Sequence, residues 1–309
     1  MMNRRRALGV LGSISLASLA GCSGASASGS APDLIWGVHG TKDGWLHLPR
    51  AATFDAEDQL YIADLTDRIQ VFDRDGNFLR SWRTPSLNID GPNGLTIDRL
   101  GRLLVADTHF YRILIYDRKG TLLGQIGDGV QGEEPGRFVY ATDVATDSKG
   151  NFVVAEYGNS DRIQVFDRDG KFVRQWGGHG YEPGEFLRVR ALAIDKNDHI
   201  YTADSCNHRI QVFDINGKLL RAWGSRGPEL GQMAYPYDLS LSQDNSIYVV
   251  EYGNNRVQKF STNGKPLGTW GARGRSPGQL NNPWGIAVDS RGAVSVIDSN
   301  NHRVQRFHL

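Results

Sequence analysis

Asp204-Ser205-Cys206-Asn207-His208-Arg209-Ile210-Gln211-Val212-Phe213 runs from an acid through a short polar turn into an arginine and an alternating strand, and Asp214-Ile215-Asn216-Gly217 ends that strand in a turn. Asp298-Ser299-Asn300-Asn301-His302-Arg303-Val304-Gln305-Arg306-Phe307 repeats the pattern 94 residues later. Outward from these two copies, apolar strands end in Asp64, Asp107, Glu156, Asp204, Glu251 and Asp298, spaced 43, 49, 48, 47 and 47 residues apart. Each acid is followed within four to six residues by an arginine: Arg68, Arg112, Arg162, Arg209, Arg256 and Arg303. Each arginine opens a second alternating strand, and in five copies a turn ends in Gly76, Gly120, Gly170, Gly217 or Gly264. Glycine there supplies the positive φ that a short hairpin needs. A further strand ends in Trp-Gly at Trp176, Trp223 and Trp270, and a Gly/Pro-rich loop leads to the next copy.

A period near 47 residues marks a repeat architecture. Each copy reads as four antiparallel strands, and six copies without helical periodicity between them predict an all-β fold, a six-bladed β-propeller. A solenoid would call for atypical capping repeats. Here the ends complete each other instead: the sixth copy reaches Leu309 after its third strand, and Asp33-Leu34-Ile35-Trp36-Gly37 reads as the missing fourth. Trp36 precedes Pro49 by 13 residues, as Trp223 precedes Pro236 and Trp270 precedes Pro283. The N-terminal strand is therefore expected to close the last blade.

Asn207-His208-Arg209-Ile210 and Asn301-His302-Arg303-Val304, each preceded by an acid and followed by a strand, resemble the NHL repeat. The resemblance covers about residues 33–309. Copy two departs most, with Asp107-Thr108-His109-Phe110-Tyr111-Arg112 in place of the signature and Ile126 in place of the tryptophan. The resemblance implies a propeller fold that elsewhere carries both binding modules and enzymes, among them the zinc-dependent lyase domain of the peptide-amidating enzyme. In that domain the metal histidines stand at the start of the inner strands. The matching positions here are Arg50, Asn93, Thr142, Arg190, Tyr237 and Trp284, so the zinc site does not carry over. Gluconolactonase-like propellers hold a central divalent cation, but no ligand set for one can be mapped here; no cofactor and no metal site are expected. His109, His208 and His302 lie in alternate blades, which a threefold metal site could exploit, although two of them are the signature histidine itself.

The first 32 residues lie outside the repeats. Asn3-Arg4-Arg5-Arg6-Ala7-Leu8 resembles a twin-arginine export signal, and Ala7–Ala20 is too short to remain as a spanning helix. Leu19-Ala20-Gly21-Cys22 resembles a bacterial lipobox, which implies removal of residues 1–21 and diacylation of Cys22. Residues 22–32 are a Ser/Gly/Ala-rich tether, and two acyl chains would anchor the protein firmly. The expected location is the cell envelope, on the periplasmic or cell-surface side, with membrane attachment through Cys22. Cys206 then has no partner in the mature chain, so stability must come from burial without disulfides.

The whole chain carries 35 basic and 34 acidic residues; without Arg4, Arg5 and Arg6 the balance is 32 to 34, or −2. A near-neutral body argues against a nucleic-acid partner, which a basic stripe would serve. A monomer is expected. Residues that recur in every blade are read as structural: the acid–arginine pairs tie each turn to nearby carbonyls, and the tryptophans Trp36, Trp82, Trp176, Trp223 and Trp270 pack between blades.

Function is sought where the sixfold pattern breaks. Asp143 with Glu156-Tyr157-Gly158-Asn159 in blade three is matched by Asp238 with Glu251-Tyr252-Gly253-Asn254 in blade five. Other blades place Ala51, Gly94, Ala191 and Gly285 at the Asp143 position. The candidate channel mouth comprises Arg50, Asn93, Asp143, Glu156, Tyr157, Arg190, Tyr237, Asp238, Glu251, Tyr252 and Trp284. Mixed acids, arginines and aromatics suit a protein, peptide or small polar ligand. The bland alternative has Asp143 and Asp238 bonding their own blades and pairing with Arg50 and Arg190. No Gly-x-Ser-x-Gly or histidine cluster is readable, so a binding or scaffold module leads. The alternatives are a lyase or lactonase-like enzyme, with Arg50 or Arg190 as electrophile and Asp143 or Glu156 as base, and a purely structural envelope protein.

Overall fold

In a computed structural model, residues 31–85 and 91–309 are described. The signal, Cys22 and most of the tether lie outside the described residues. Six four-stranded antiparallel sheets form a ring. Blade one is Ala51–Phe54, Leu60–Ala63, Arg68–Phe72 and Phe78–Arg83; blade two is Gly94–Ile97, Leu103–Asp107, Arg112–Tyr116 and Leu122–Ile126. Blade three is Tyr140–Thr146, Phe152–Tyr157, Arg162–Phe166 and Phe172–Gly177, and blade four is Val189–Ile194, Ile200–Asp204, Arg209–Phe213 and Leu219–Trp223. Blade five is Pro236–Leu241, Ser246–Glu251, Arg256–Ser261 and Pro266–Trp270. Blade six is Ile286–Val288, Val294–Asp298 and Arg303–Phe307, completed by Leu34–Trp36, which pairs Trp36 with Val304. The predicted six-bladed propeller and its closure by the N-terminal strand are both present.

The core lies between blades rather than within them. Middle strands such as Leu103–Asp107 are buried on both faces, which is why they read as continuous apolar runs. Leu104, Ile113 and Ile115 of blade two pack with Phe152, Val154 and Phe166 of blade three. Across the closure, Leu60, Ile62 and Phe72 pack with Ile297 and Val304. The turn glycines seat the tryptophans of the preceding blade: a Cβ on Gly217, at φ 88°, would lie 2.6 Å from the Trp176 ring. Trp36, Trp82 and Trp223 meet Gly76, Gly120 and Gly264 in the same way.

All six acid–arginine pairs are ion pairs, from Arg162–Glu156 at 2.5 Å to Arg112–Asp107 at 2.9 Å. The guanidinium also holds the loop leading into its own blade: Arg209 donates to the carbonyls of Tyr181, Glu182 and Glu185 at 2.8–2.9 Å. The glutamine two residues on joins the same clamp, Gln211 donating to Glu185 O and Asp204 while accepting from Gly184 N.

The signature histidine position has a separate duty. His302, His208, Asn255 and Asp161 are left-handed, with φ between 37° and 56°. Asp, Asn and His tolerate that region better than most residues. Each side chain accepts a hydrogen bond from a backbone amide of the next blade. His302 Nδ1 takes Leu48 N and His208 Nδ1 takes Tyr235 N, both at 3.1 Å; Asn255 Oδ1 takes Asn282 N at 2.7 Å and Asp161 Oδ1 takes Arg188 N at 3.0 Å. The position is an acceptor that clasps neighbouring blades.

Candidate functional site

The inner strands surround an axial cavity of about 330 Å³, whose lining includes Arg50, Asn93, Asp143, Arg190, Tyr237, Asp238 and Trp284. In blades three, four and five the ladder shifts register between Ala141 and Asp143, Val189 and Ala191, and Pro236 and Asp238. Thr142, Arg190 and Tyr237 are therefore the extra residues of β-bulges, a device that re-aims a side chain. Thr142 spends its hydroxyl on Ala155 O and Val189 O, each at 3.1 Å. Arg190 and Tyr237 line the cavity.

Asp143 and Asp238 are cross-blade braces. Asp143 accepts from Val144 N and, in the next blade, Leu192 N, both at 2.9 Å. Asp238 accepts from Leu239 N at 2.7 Å and from Ile286 N of the next blade at 2.9 Å. The brace leaves blade two no room for a side chain: a Cβ on Gly94 would sit 2.4 Å from Thr142 O and 2.6 Å from Asp143 Oδ1. Burial pushes Asp238 up to about 7. Asp143 lies well above the carboxylate range, through burial and then the neighbouring charge of Asp238. Asp238 feels the charge of Arg190, but no ion pair joins Arg190 to either acid among the described residues, so that part of the alternative reading is not seen.

Arg190 is only 5% exposed. Its Nη2 is buried without a hydrogen-bond partner, and no ion pair or hydrogen bond engages it among the described residues. Aromatic faces surround it instead: Tyr237 at 4.6 Å, Trp284 at 4.8 Å and Tyr157 at 6.0 Å from the guanidinium carbon. Burial pulls Arg190 down to about 10, which leaves it cationic at neutral pH. Arg50 covers the Trp284 ring at 4.7 Å and donates to Asn93 at 3.2 Å, while Arg188 lies 4.9 Å from Tyr157. Tyr252 stacks on Tyr237 at 4.5 Å and meets Trp284 edge-on. The mouth is a run of alternating arginines and rings.

Glu156 and Glu251 do not belong to it. Each is fully buried in its acid–arginine pair, and each accepts a backbone amide, from Val139 and Ala234 respectively. The role of cavity base considered for Glu156 is corrected on that ground. His109, His208 and His302 do not gather into one group among the described residues. Arg188, which joins the aromatic run, escaped the sequence reading.

A family model described as a six-bladed β-propeller matches residues 148–225, and the NHL repeat matches residues 233–260 and 280–307. The chain is a six-bladed propeller carrying NHL repeats. The propeller is 36% identical over 110 residues to peptidyl-glycine alpha-amidating monooxygenase B of Xenopus laevis, across 33% of this chain and 13% of that protein. It is 32% identical over 107 residues to a probable peptidyl-alpha-hydroxyglycine alpha-amidating lyase of Caenorhabditis elegans, across 33% of this chain and 31% of that protein. The chain thus spans less than a third of the length of these curated relatives. Among solved structures, a streptogramin B lyase superposes with a TM-score of 0.63 at 14% identity, over 88% of this chain and 95% of that one. Virginiamycin B lyase from Staphylococcus aureus gives 0.60 at 12% identity, over 84% and 94%. At these identities the likeness concerns the fold.

Proposed function

We propose that the propeller is a binding module whose axial cavity takes the anionic end of a small organic ligand or peptide, tethered at the cell envelope through a lipidated Cys22. The carrying observation is Arg190, a buried cation that no ion pair or hydrogen bond engages among the described residues. An uncompensated buried charge is costly, and an anion with two acceptor oxygens would satisfy the guanidinium fork. Arg50 and Arg188 add positive charge at the same mouth, and Tyr237 and Trp284 offer faces to the rest of the ligand. No helix among the described residues is long and apolar enough to cross a membrane.

The test is calorimetric titration of the full chain with dicarboxylates, N-acetyl amino acids and short peptides, beside Arg190→Met. Saturable binding of an anionic probe that the variant loses supports the reading. Probes that bind both proteins equally, or neither, defeat it. For the anchor, Cys22→Ser is expected to leave the membrane fraction; a variant still wholly membrane-bound would reject lipidation.

Asp238 favours a second reading. A carboxyl raised to about 7 in the wall of a cavity that holds a cation has the properties of a general base beside an oxyanion stabiliser. In this lyase-like reading Asp238 removes a proton and Arg190 holds the developing negative charge. The partial matches to amidating lyases nominate a peptidyl-α-hydroxyglycine as first probe. Turnover abolished by Asp238→Asn with binding retained would establish catalysis over simple binding.

A further inference from the structure

Three histidines meet where the ring closes. His39 follows the strand Leu34–Trp36 that completes blade six, His47 lies on the way into blade one, and His302 sits in the left-handed turn of blade six. His39 Nε2 and His47 Nδ1 are 3.1 Å apart, and the His39 and His302 rings lie 4.1 Å centroid to centroid. One ring nitrogen from each residue lies within 4.8 Å of the other two. None of the three is ion-paired to a carboxylate among the described residues. Three imidazoles in contact without an acid between them repel one another when protonated, and are better matched by one shared cation.

The geometry points to a site for a first-row divalent transition ion, zinc foremost, held by His39, His47 and His302 with water in the fourth position. Tetrahedral zinc bonds imidazole nitrogen at about 2.0–2.1 Å, which sets ligand nitrogens about 3.3 Å apart. The His39–His47 separation already meets that spacing, and the third ligand has about 1.5 Å to travel at most. Imidazole donors suit zinc, copper and nickel, and exclude magnesium and calcium, which take oxygen. His39 is exposed and the other two are half-buried, so an ion has a path in and room for its water.

The ion would do structural work. In a neutral ring only one nitrogen accepts, and His302 Nδ1 is occupied by Leu48 N. Coordination through His302 Nε2 therefore releases the Leu48 amide, exchanging a hydrogen bond across the seam for a metal bridge across the same seam. The bridge joins the N-terminal strand and the approach to blade one onto blade six. Such an ion lies on the rim, apart from the axial cavity lined by Arg50 and Arg190.

The experiment uses the full chain purified without a polyhistidine tag, stripped with chelator and titrated with zinc at pH 7.5. One saturable equivalent and a raised unfolding midpoint are expected. His39→Gln, at an exposed ring, should weaken zinc binding at least about tenfold. His302→Asn should do the same while preserving the blade clasp, because Asn255 performs that clasp in blade five. His208→Asn, which alters the matching clasp in blade four, should leave zinc affinity unchanged. The proposal is overturned if no saturable binding is found up to about 100 μM zinc, or if His39→Gln binds zinc as the parent does.

Discussion

Replacing Arg190 by methionine is expected to stabilise the ligand-free propeller. The guanidinium is held near 10 rather than its ordinary 12.5, with burial as the leading cause. That depression corresponds to about 3 kcal/mol of lost solvation for the charged form, an order-of-magnitude figure. The rings of Tyr237 and Trp284, at 4.6 and 4.8 Å, offset about 1–2 kcal/mol of it through cation–π attraction. Methionine has similar reach, no charge and favourable contacts with aromatic rings. The net gain should be about 1–2 kcal/mol, or roughly 2–4 °C in the unfolding midpoint. At Arg190 itself the two states differ in protons bound only above about pH 10; near neutrality the gain should shrink as pH rises through about 7, because the Arg190 charge eases the ionisation of Asp238. Chemical denaturation followed by far-ultraviolet circular dichroism at pH 6, 7 and 8 measures it. A loss of more than about 1 kcal/mol would mean the guanidinium is satisfied in the folded protein, and the case for an anionic ligand would fall with it.

Two further predictions concern the frame. Arg209→Ala leaves Asp204 buried without its cation and removes three hydrogen bonds to loop carbonyls, and should cost about 3–5 kcal/mol by denaturant titration; a loss under about 1 kcal/mol would show that the pair is dispensable. Stability should respond to acid in two opposed ways. His208 and His302 are held below 6.5 by burial, so the unfolded chain binds more protons and their contribution is lost as pH falls through about 6.5. Asp143 and Asp238 are raised, so the folded chain binds more protons and stability declines as pH rises from about 4 to 7. His208→Asn with His302→Asn should remove the first limb and Asp143→Asn with Asp238→Asn the second; unchanged profiles in either pair would reject the assignment.

The repeat was legible because every blade needs the same parts. A buried acid with an arginine four to six residues on recurs in all six blades, the glutamine two residues further in every blade but the second, and the turn glycine in five. Six units of four strands leave one closed arrangement, so the 13-residue step from Trp36 to Pro49 was enough to predict the seam. Of the six positions that the sequence aligned, Arg50, Asn93, Arg190, Tyr237 and Trp284 line the cavity and Thr142 does not; the Asp143–Asp238 departure was legible because a break in a sixfold pattern is visible without coordinates.

What those residues face was settled only by tertiary packing. Each axial residue precedes its blade's acid by 14 positions in all six copies, so nothing in the spacing distinguishes the bulge that aims Arg190 at the cavity from the one that lets Thr142 bond backbone. Glu156 and Asp143 share a blade and a charge, yet one meets an arginine and the other two amides. Partner choice depends on which neighbouring strand lies within 3 Å, and that strand is 49 residues away in the case of Leu192. The histidines at the seam make the same point: His39 and His302 are joined only because the chain's two ends share a sheet, and contact across a closed ring is a property of the closure rather than of any local stretch of residues.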